Sequence, residues 1–157
     1  MSLPLAGKVA IVTGSAKGIG ASIVKRFAAD GANVVINYAS SSAVAEELAA
    51  SINAQGAGRA VAVQADVSTV AGGKHLLEEG LKAFGKLDIL VFNAGLMKTD
   101  VLATITDEDF DRHFDMNVKV PLFVTQAALP YLKPGTITIS YMIRSRLLTS
   151  FTTQEGA

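Results

Sequence analysis

The sequence has no cysteine, and its charges cancel, with 14 basic and 14 acidic residues. Without cysteine the chain has neither a disulfide framework nor a thiolate metal site, which is consistent with a reducing compartment. The two histidines stand apart among polar neighbours, so the sequence predicts no metal site. No block of basic residues stands out, and this argues against nucleic acid or an anionic membrane surface as a partner.

Long apolar runs are also missing. No stretch approaches the length needed to cross a bilayer, and residues 1–7 are too short and too uncharged for a signal peptide. We therefore expect a soluble, cytoplasmic protein. Of the 157 residues, 50% are hydrophobic and 18% are charged, which is typical of a globular protein of about one domain.

The chain is organised around its first strand and the turn that follows it. Val9–Val12 is apolar without polar alternation, the pattern of a strand buried on both faces of a parallel sheet. Gly14, Gly18 and Gly20 come next and lead into a helix that ends at Gly31. The apolar residues predicted along the buried side of that helix are Ile19, Ile23, Val24, Phe27 and Ala28.

A strand, a glycine turn and a helix form the context of a dinucleotide-binding loop. Glycines let the backbone turn sharply and approach a pyrophosphate, and the free N–H groups at the start of the helix hold that anion. A tight turn that binds no ligand is the alternative interpretation of this loop taken alone.

Strands and helices alternate along the rest of the chain, which predicts right-handed crossovers and a parallel sheet. Four more strands are predicted, at Asn33–Tyr38, Ala60–Ala65, Leu87–Phe92 and Thr136–Tyr141. The second and third helices end at glycines, and Ser68 or Thr69 is expected to cap the third. We therefore expect an α/β domain with a doubly wound parallel sheet of about five strands over residues 1–141, followed by an irregular tail, 142–157.

The fourth helix is predicted to begin at Thr106, whose side chain can cap it, with acidic residues in its first turn. Phe110, Phe114 and Val118 are expected along its buried side. The apolar pattern continues through Leu122, Phe123, Ala127 and Leu129.

Asn117 lies within this helix, four residues before Pro121. Proline has no N–H, so the carbonyl of Asn117 loses its helical partner and can hold a water molecule. The alternative is that Pro121 only bends the helix around the core.

Four features of the sequence together match a known family in their order and spacing. They are the Thr-Gly-x-x-x-Gly-x-Gly spacing of the loop, Asp66 after the third strand, Asn93-Ala94-Gly95 after the fourth, and Asn117. From about Leu5 to Tyr141 the chain resembles the short-chain dehydrogenase/reductase family, which implies a Rossmann-type fold.

The resemblance also implies roles. Asp66 would contact the adenine ring, Asn93-Ala94-Gly95 would border the cofactor and steady the sheet, and the carbonyl of Asn117 would hold a water in a proton relay. Taken singly, Asp66 is equally a turn residue or an N-cap, and Asn93 could simply bond local backbone.

The sequence also predicts which cofactor is bound. An NAD site places an acid about 20 residues beyond the glycines, but residues 37–41 hold no acid and Lys17 is positioned to reach a 2′-phosphate. We therefore expect NADP(H) to be preferred over NAD(H), with a solvated Lys17 as the alternative. The expected cofactor-binding residues are Gly14, Ser15, Lys17, Gly18, Ile19, Gly20, Tyr38, Ser40, Asp66, Val67, Asn93, Ala94 and Gly95.

The family's catalytic pattern is incomplete here. Ser140 falls one place before the family's serine, and Tyr141 is followed four residues later by Ser145 where the family's Tyr-x-x-x-Lys has lysine. Asn117 and Ser140 are thus the only catalytic candidates, and we expect this chain to be inactive. Family members also run longer, and a truncated or altered reading frame is the explanation we expect.

These features lead to two functional hypotheses, beside the third possibility that the chain is a fragment too poorly covered to fold stably. The first is the cofactor-binding part of an NADP(H)-dependent oxidoreductase, whose intact parent acts on a small carbonyl substrate. The second is a non-catalytic dinucleotide-binding or interaction module with the same fold.

Self-association is also expected. With the strand order 3-2-1-4-5, the strand Thr136–Tyr141 would form an exposed edge of an incomplete sheet. Ile89, Val91, Ile137 or Ile139 should then leave an apolar patch that drives association.

Overall fold

A computed structural model describes residues 3–96, 104–140 and 149–151 of the chain. Six strands form one sheet in the order β3-β2-β1-β4-β5-β6. The strands are β1 (Val9–Val12), β2 (Asn33–Tyr38), β3 (Ala60–Gln64), β4 (Ile89–Phe92), β5 (Ile137–Ser140) and β6 (Thr149–Phe151). The first five run parallel, which confirms the predicted doubly wound α/β fold.

Helices cover both faces of the sheet. They are α1 (Gly18–Ala29), α2 (Ser42–Gln55), α3 (Val70–Phe84), α4 (Asp107–Phe114) and α5 (Val120–Ala128), with a π-helical turn at Asp115–Lys119. Buried residues of α1 and α2 pack with Ala10 and Val12 of β1 on one face. Those of α3 and α5 pack with Ile11 on the other. This two-sided burial explains why β1 is apolar without alternation.

The predicted helix ends are found. The Thr69 hydroxyl accepts a hydrogen bond from the Gly72 N–H at 3.0 Å and so caps α3. Thr106 and Asp109 form a capping box at the start of α4. Gly56 and Gly85 end α2 and α3 with φ of 72° and 75°, the left-handed conformation that favours glycine.

The buried side predicted for the fourth helix is wrong. Phe110, Phe114 and Leu122 are 54%, 49% and 61% exposed, and the two phenylalanine rings stack at 4.4 Å. The π-helical turn adds a residue between α4 and α5 and thereby rotates the face that meets the core. Beyond it the buried residues are Val120, Val124 and Ala128.

Ile19 also faces outward, 73% exposed at the start of α1, although the apolar periodicity placed it with the core. It precedes the point at which α1 packs on the sheet, because the first buried residues of the helix are Gly20 and Val24.

The predicted exposed edge is wrong as well. β6 pairs antiparallel with β5, joining Ser140 to Thr149, so the expected irregular tail contains a strand. Ile89 and Val91 are 5% and 1% exposed and form no surface patch. The unpaired backbone groups of an outer strand are a template for any segment able to extend beside them.

Some of the sequence predictions lie outside what the structure describes: Tyr141, residues 142–148 and 152–157 of the tail, and the side chains of Ile137, Ile139 and Ser140. In the ranges that it does describe, no helix is long and apolar enough to cross a membrane. No group of three or more possible metal ligands occurs among those residues.

Candidate functional site

The carboxyl ends of the parallel strands meet at one edge of the sheet, where the loops after β1 and β4 touch. A Cβ atom added to Gly14, which has φ of +60°, would lie 3.0 Å from the Cβ of Ala94. One added to Gly20 would lie 2.7 Å from the amide nitrogen of Asn93 and from the carbonyl oxygen of Gly14. Glycine is therefore required at position 20 by close approach, and at position 14 by approach and conformation together.

Hydrogen bonds hold the same two loops together. The Asn93 Nδ2 donates to the carbonyl oxygens of Thr13 and Gly14, at 2.9 and 3.2 Å. The Ala94 N–H donates to the Thr13 Oγ1 at 2.9 Å. Asn93 thus bonds backbone 80 residues away rather than its own turn. Gly95 follows and is half-buried.

The start of α1 is open beside these loops. Lys17 occupies the N-cap position in an extended conformation and provides no side-chain cap. The starts of α2 and α5 also lack a side-chain cap, whereas α3 and α4 are capped by threonines. Gly18 has φ of +60°, and no atom lies within 4 Å of where its Cβ would be. Lys17 and Ile19 are exposed. The first turn of α1 thus has no side-chain cap for its N–H groups, the donors that an anion binds at a helix start.

Asp66 closes the turn between β3 and α3. Its Oδ1 accepts hydrogen bonds from the Ser68 hydroxyl and the Ser68 N–H, at 2.7 and 3.0 Å. These two bonds hold the pKa of Asp66 below its usual value, and the bond from the Ser68 hydroxyl has the larger effect. The turn role foreseen as an alternative is therefore present, and the carboxylate is nevertheless exposed. Val67, next to it, is buried.

The end of β2 supplies the third part of this edge. Tyr38 is half-buried and Ser40 is exposed. Asn37 directly precedes Tyr38 in β2 and is buried. The sequence alone indicates only that this residue is not an acid and predicts no role for it. It is 1% exposed and hydrogen-bonded to the glycine loop. The available signal was a lone polar residue in the apolar run of β2.

Asn117 lies in the π-helical turn and reaches the loop after β4. Its Oδ1 accepts from the Leu96 N–H at 3.0 Å, and its Nδ2 donates to the Leu96 carbonyl at 2.9 Å. The backbone carbonyl of Asp115 accepts a hydrogen bond from the Val120 N–H across the same turn. The structure therefore gives a role to the Asn117 side chain, while a water on its carbonyl stays a prediction.

Ser140 ends β5, and its backbone pairs in register with Phe92, the residue before Asn93. Ser140 therefore pairs with the last residue of β4, whereas Asn117 bonds Leu96 in the loop that follows β4. Tyr141 lies outside the described residues.

Known proteins share the sequence and the fold of this chain. The sequence model of one family, short chain dehydrogenase, matches residues 8–140. An uncharacterized oxidoreductase of Methylorubrum extorquens is 45% identical over 97% of this chain and 62% of its own length.

Two solved structures share the fold. A short chain dehydrogenase from Burkholderia cenocepacia in complex with NADP is 42% identical with a TM-score of 0.80, over 85% of this chain and 54% of that one. A blue fluorescent protein from a metagenomic library, in complex with NADPH, is 39% identical with a TM-score of 0.81, over 85% and 55%. The chain spans between about half and three fifths of the length of these proteins.

Proposed function

The chain belongs to the short-chain dehydrogenase/reductase family of oxidoreductases, and on that premise we propose that it binds NADP(H) in preference to NAD(H) at the carboxyl edge of its sheet. The observation that carries the proposal is the uncapped start of α1 beside Gly14, which packs directly on Ala94. A pyrophosphate requires such a close backbone approach and such free N–H groups.

The residues present fit this cofactor. The first turn of α1, from Gly18 to Gly20, would hold the pyrophosphate, with Ile19 exposed beside it. Asp66 and Val67 would contact the adenine ring, and their loop is already fixed by the bonds from Ser68. The remaining proposed contacts are Gly14, Tyr38, Ser40, Asn93, Ala94 and Gly95. Ser15, predicted from the sequence as a contact, is 0% exposed and its hydroxyl and N–H bond to β1 and β2, so we propose that it supports the loop from within.

The preference for NADP(H) rests on charge. Residues 37–41, which include Tyr38 and Ser40, hold no carboxylate to bond a ribose 2′-hydroxyl or to repel a 2′-phosphate. Lys17 is exposed at the mouth of the loop, where an ammonium attracts a phosphate. The two solved structures named above contain NADPH and NADP.

For the whole protein we propose hydride transfer between NADP(H) and a carbonyl or alcohol. The cofactor, when bound, would supply the hydride to a carbonyl or accept it from an alcohol. Asn117 would hold a water through its carbonyl, and Ser140 would stand at the end of β5 beside that site. A second candidate, a dinucleotide-binding module without catalysis, is favoured by Ser145, which stands where the family's motif has lysine after Tyr141.

Calorimetric titration of the 157-residue chain with NADPH and with NADH tests the proposal. We expect tighter binding of NADPH. In a separate unfolding experiment, NADPH at 100 times its Kd should raise the free energy of unfolding by about 2.7 kcal/mol. Equal affinity for both nucleotides would overturn the preference, and no binding of either would overturn the site.

We further propose that the chain self-associates through the outward face of α4 and α5. This outward face consists of exposed apolar residues of α4, the π-helical turn, α5 and the residue after α5, each at least 38% exposed: Phe110, Phe114, Val118, Leu122, Phe123 and Leu129. So many exposed apolar side chains along one helical segment are typical of an interface. We propose a second copy as the occupant, because antiparallel helices would place the acidic first turn of one α4 beside Lys133 of the other.

A further inference from the structure

We propose that Asn37 is a positioning residue, which fixes the glycine loop and the Asp66 loop relative to each other for the nucleotide. The inference rests on the NADP(H) site proposed above. Asn37 lies one residue before the end of β2 and is 1% exposed. A side chain so buried acts on a ligand through the backbone that it holds.

The side chain of Asn37 joins the ends of three neighbouring strands. Its Oδ1 accepts a hydrogen bond from the Gly14 N–H at 2.8 Å. Its Nδ2 donates to the Ala65 carbonyl at 3.1 Å and to the Tyr38 carbonyl at 3.4 Å. Gly14 belongs to the loop proposed for the pyrophosphate, and Ala65 directly precedes Asp66, proposed for the adenine. One amide therefore spans the two parts of the nucleotide site.

The main chain of Asn37 is anchored separately, through Ser15. The Asn37 N–H donates to the Ser15 Oγ at 2.9 Å, and the Ser15 N–H donates to the Asn37 carbonyl at 3.0 Å. The Ser15 hydroxyl in turn donates to the Val12 carbonyl at 2.6 Å. A change of the side chain at position 37 leaves these three bonds in place, so it tests the amide alone.

An amide is needed here because the two partners demand opposite atoms. The Gly14 N–H can only donate, and the Ala65 carbonyl can only accept, which fixes which way the Asn37 amide points. A protonated carboxyl offers the same pair of atoms, one acceptor and one O–H donor. An ionised carboxylate offers acceptors alone and would face the Ala65 carbonyl without a proton.

The variant Asn37→Asp should therefore hold the loops when its carboxyl is protonated and release them when it ionises. Burial raises the pKa of an introduced carboxyl toward neutral pH. Three segments surround Asn37: those that contain Gly14, Tyr38 and Ala65. In each of them the ionisable residue nearest in sequence is, respectively, Lys17, Tyr38 and Asp66. Wild type carries all three, so its own pH dependence provides the baseline.

The experiment measures the Kd for NADP⁺ by calorimetry from about pH 5.5 to about pH 8.5. We expect the ratio of the Asn37→Asp Kd to the wild-type Kd to rise from near one at low pH to about tenfold at high pH. The isosteric Asn37→Leu, which keeps neither bond, should bind about tenfold more weakly throughout. A flat ratio for Asn37→Asp, or wild-type affinity in Asn37→Leu, would overturn the inference.

Asn53→Asp is the matched control. Asn53 makes the same two kinds of bond, accepting from the Ala60 N–H at 2.8 Å and donating to the Ala60 carbonyl at 3.1 Å. Ala60 begins β3, at the edge of the sheet away from the nucleotide. Asn53 is exposed, so the introduced carboxylate is ionised at every pH measured and the Kd ratio should stay flat and near one. A ratio as high as that of Asn37→Asp would mean that losing such a pair of bonds anywhere in the fold weakens binding.

A second readout separates this inference from the proposed site. The Gly14 amide resonance of Asn37→Asp should shift with the same midpoint as the Kd ratio, whereas that of Asn53→Asp should not. If wild type binds no NADP⁺, the proposed function fails and the Gly14 resonance still decides whether position 37 holds the loop. A Gly14 resonance insensitive to pH in Asn37→Asp would overturn the inference.

Discussion

The carboxylate of Asp88 accepts a hydrogen bond from the backbone N–H of Val9, 79 residues earlier in the chain, at 2.9 Å. Lys86 and Lys8 pair with the same carboxylate at 3.0 and 3.3 Å. Burial alone would raise the pKa of Asp88, but the bonds from Lys86, Val9 and Lys8 hold it below its usual value. The carboxylate therefore fastens the start of β1 to the start of β4.

Asp88→Asn should lower the free energy of unfolding at pH 7 by about 1 kcal/mol, because asparagine keeps an acceptor for Val9 but loses both ion pairs. The contribution of ionised Asp88 is complete above the unfolded carboxyl pKa of about 3.9. It is lost as the pH falls through the lower folded pKa. Urea unfolding across this range measures the difference, which should shrink in acid. The exposed pair of Glu79 and Lys82 provides the control, because Glu79→Gln should cost less.

Gly20→Ala and Gly18→Ala should differ sharply. A Cβ at position 20 would meet the backbone of Gly14 and Ser15 at 2.7 Å, and neither can move without displacing the loop, so we expect a loss of about 2 kcal/mol or more. At position 18 the space is open and only the positive φ resists, which costs about 1 kcal/mol. Chemical unfolding of both variants compares them, and equal losses would contradict the packing.

Lys17→Glu should weaken NADPH binding by about tenfold or more, because an attraction to the 2′-phosphate becomes a repulsion. NADH lacks that phosphate, so its affinity should change much less. Calorimetric titration with both nucleotides gives the two ratios. Lys25→Glu, an exposed position further along α1, makes the same change in net charge and should leave the ratios near one. An equal loss of affinity for both nucleotides would show that Lys17 does not contribute to the preference for NADPH.

Leu122→Glu should convert a self-associated chain into a monomer without loss of stability, because Leu122 is 61% exposed in the single chain. Light scattering after gel filtration measures the mass of each species. Val44→Glu is the control, since Val44 is an exposed apolar residue, 47%, on α2 instead. A monomeric wild type, or equal dissociation of both variants, would rule out the outward face as the interface.

The purified 157-residue chain should show no carbonyl reductase turnover above background, even with NADPH bound. A proton donor at the carbonyl oxygen typically contributes about 10²–10⁴-fold, and Tyr141 has no lysine four residues on. Assays on quinones, ketones and β-keto esters measure this. Robust turnover that Tyr141→Phe abolishes would show that Tyr141 acts as the acid.

Much of the fold could be predicted because local chemistry decides it. The unbroken apolar run of β1 predicts a strand covered on both faces, and Thr106 and Gly56 mark helix ends through groups that the helix itself needs satisfied. Burial was harder to predict. Apolar spacing shows that Phe114 and Leu122 share a face with other apolar residues, but not whether this chain or a second copy covers it.

The candidate site also contains residues that could be predicted from the sequence and residues that could not. Gly14 and Gly20 could be recognised, because a sharp turn and close approach demand glycine wherever they occur. Asn37 and Asp88 could not be placed, since their partners Gly14 and Val9 are brought to them only by the sheet. Strand β6 was missed for a related reason, because three residues carry no periodicity and extend only where β5 offers a ladder.

The strand order has a consequence for how the chain folds. β1 is at the centre of the sheet and pairs on one side with β2, which the chain reaches after a single helical crossover. On its other side β1 pairs with β4, which lies much further along the chain. Bringing these two strands together closes a long loop and is therefore the slower event. During synthesis the first three strands can therefore assemble while one edge of β1 remains bare, and the Asp88 contact with Val9 can form only when the second half docks. We expect the N-terminal half to nucleate folding and the β1–β4 pairing to gain protection from hydrogen exchange later than the pairings among β1, β2 and β3.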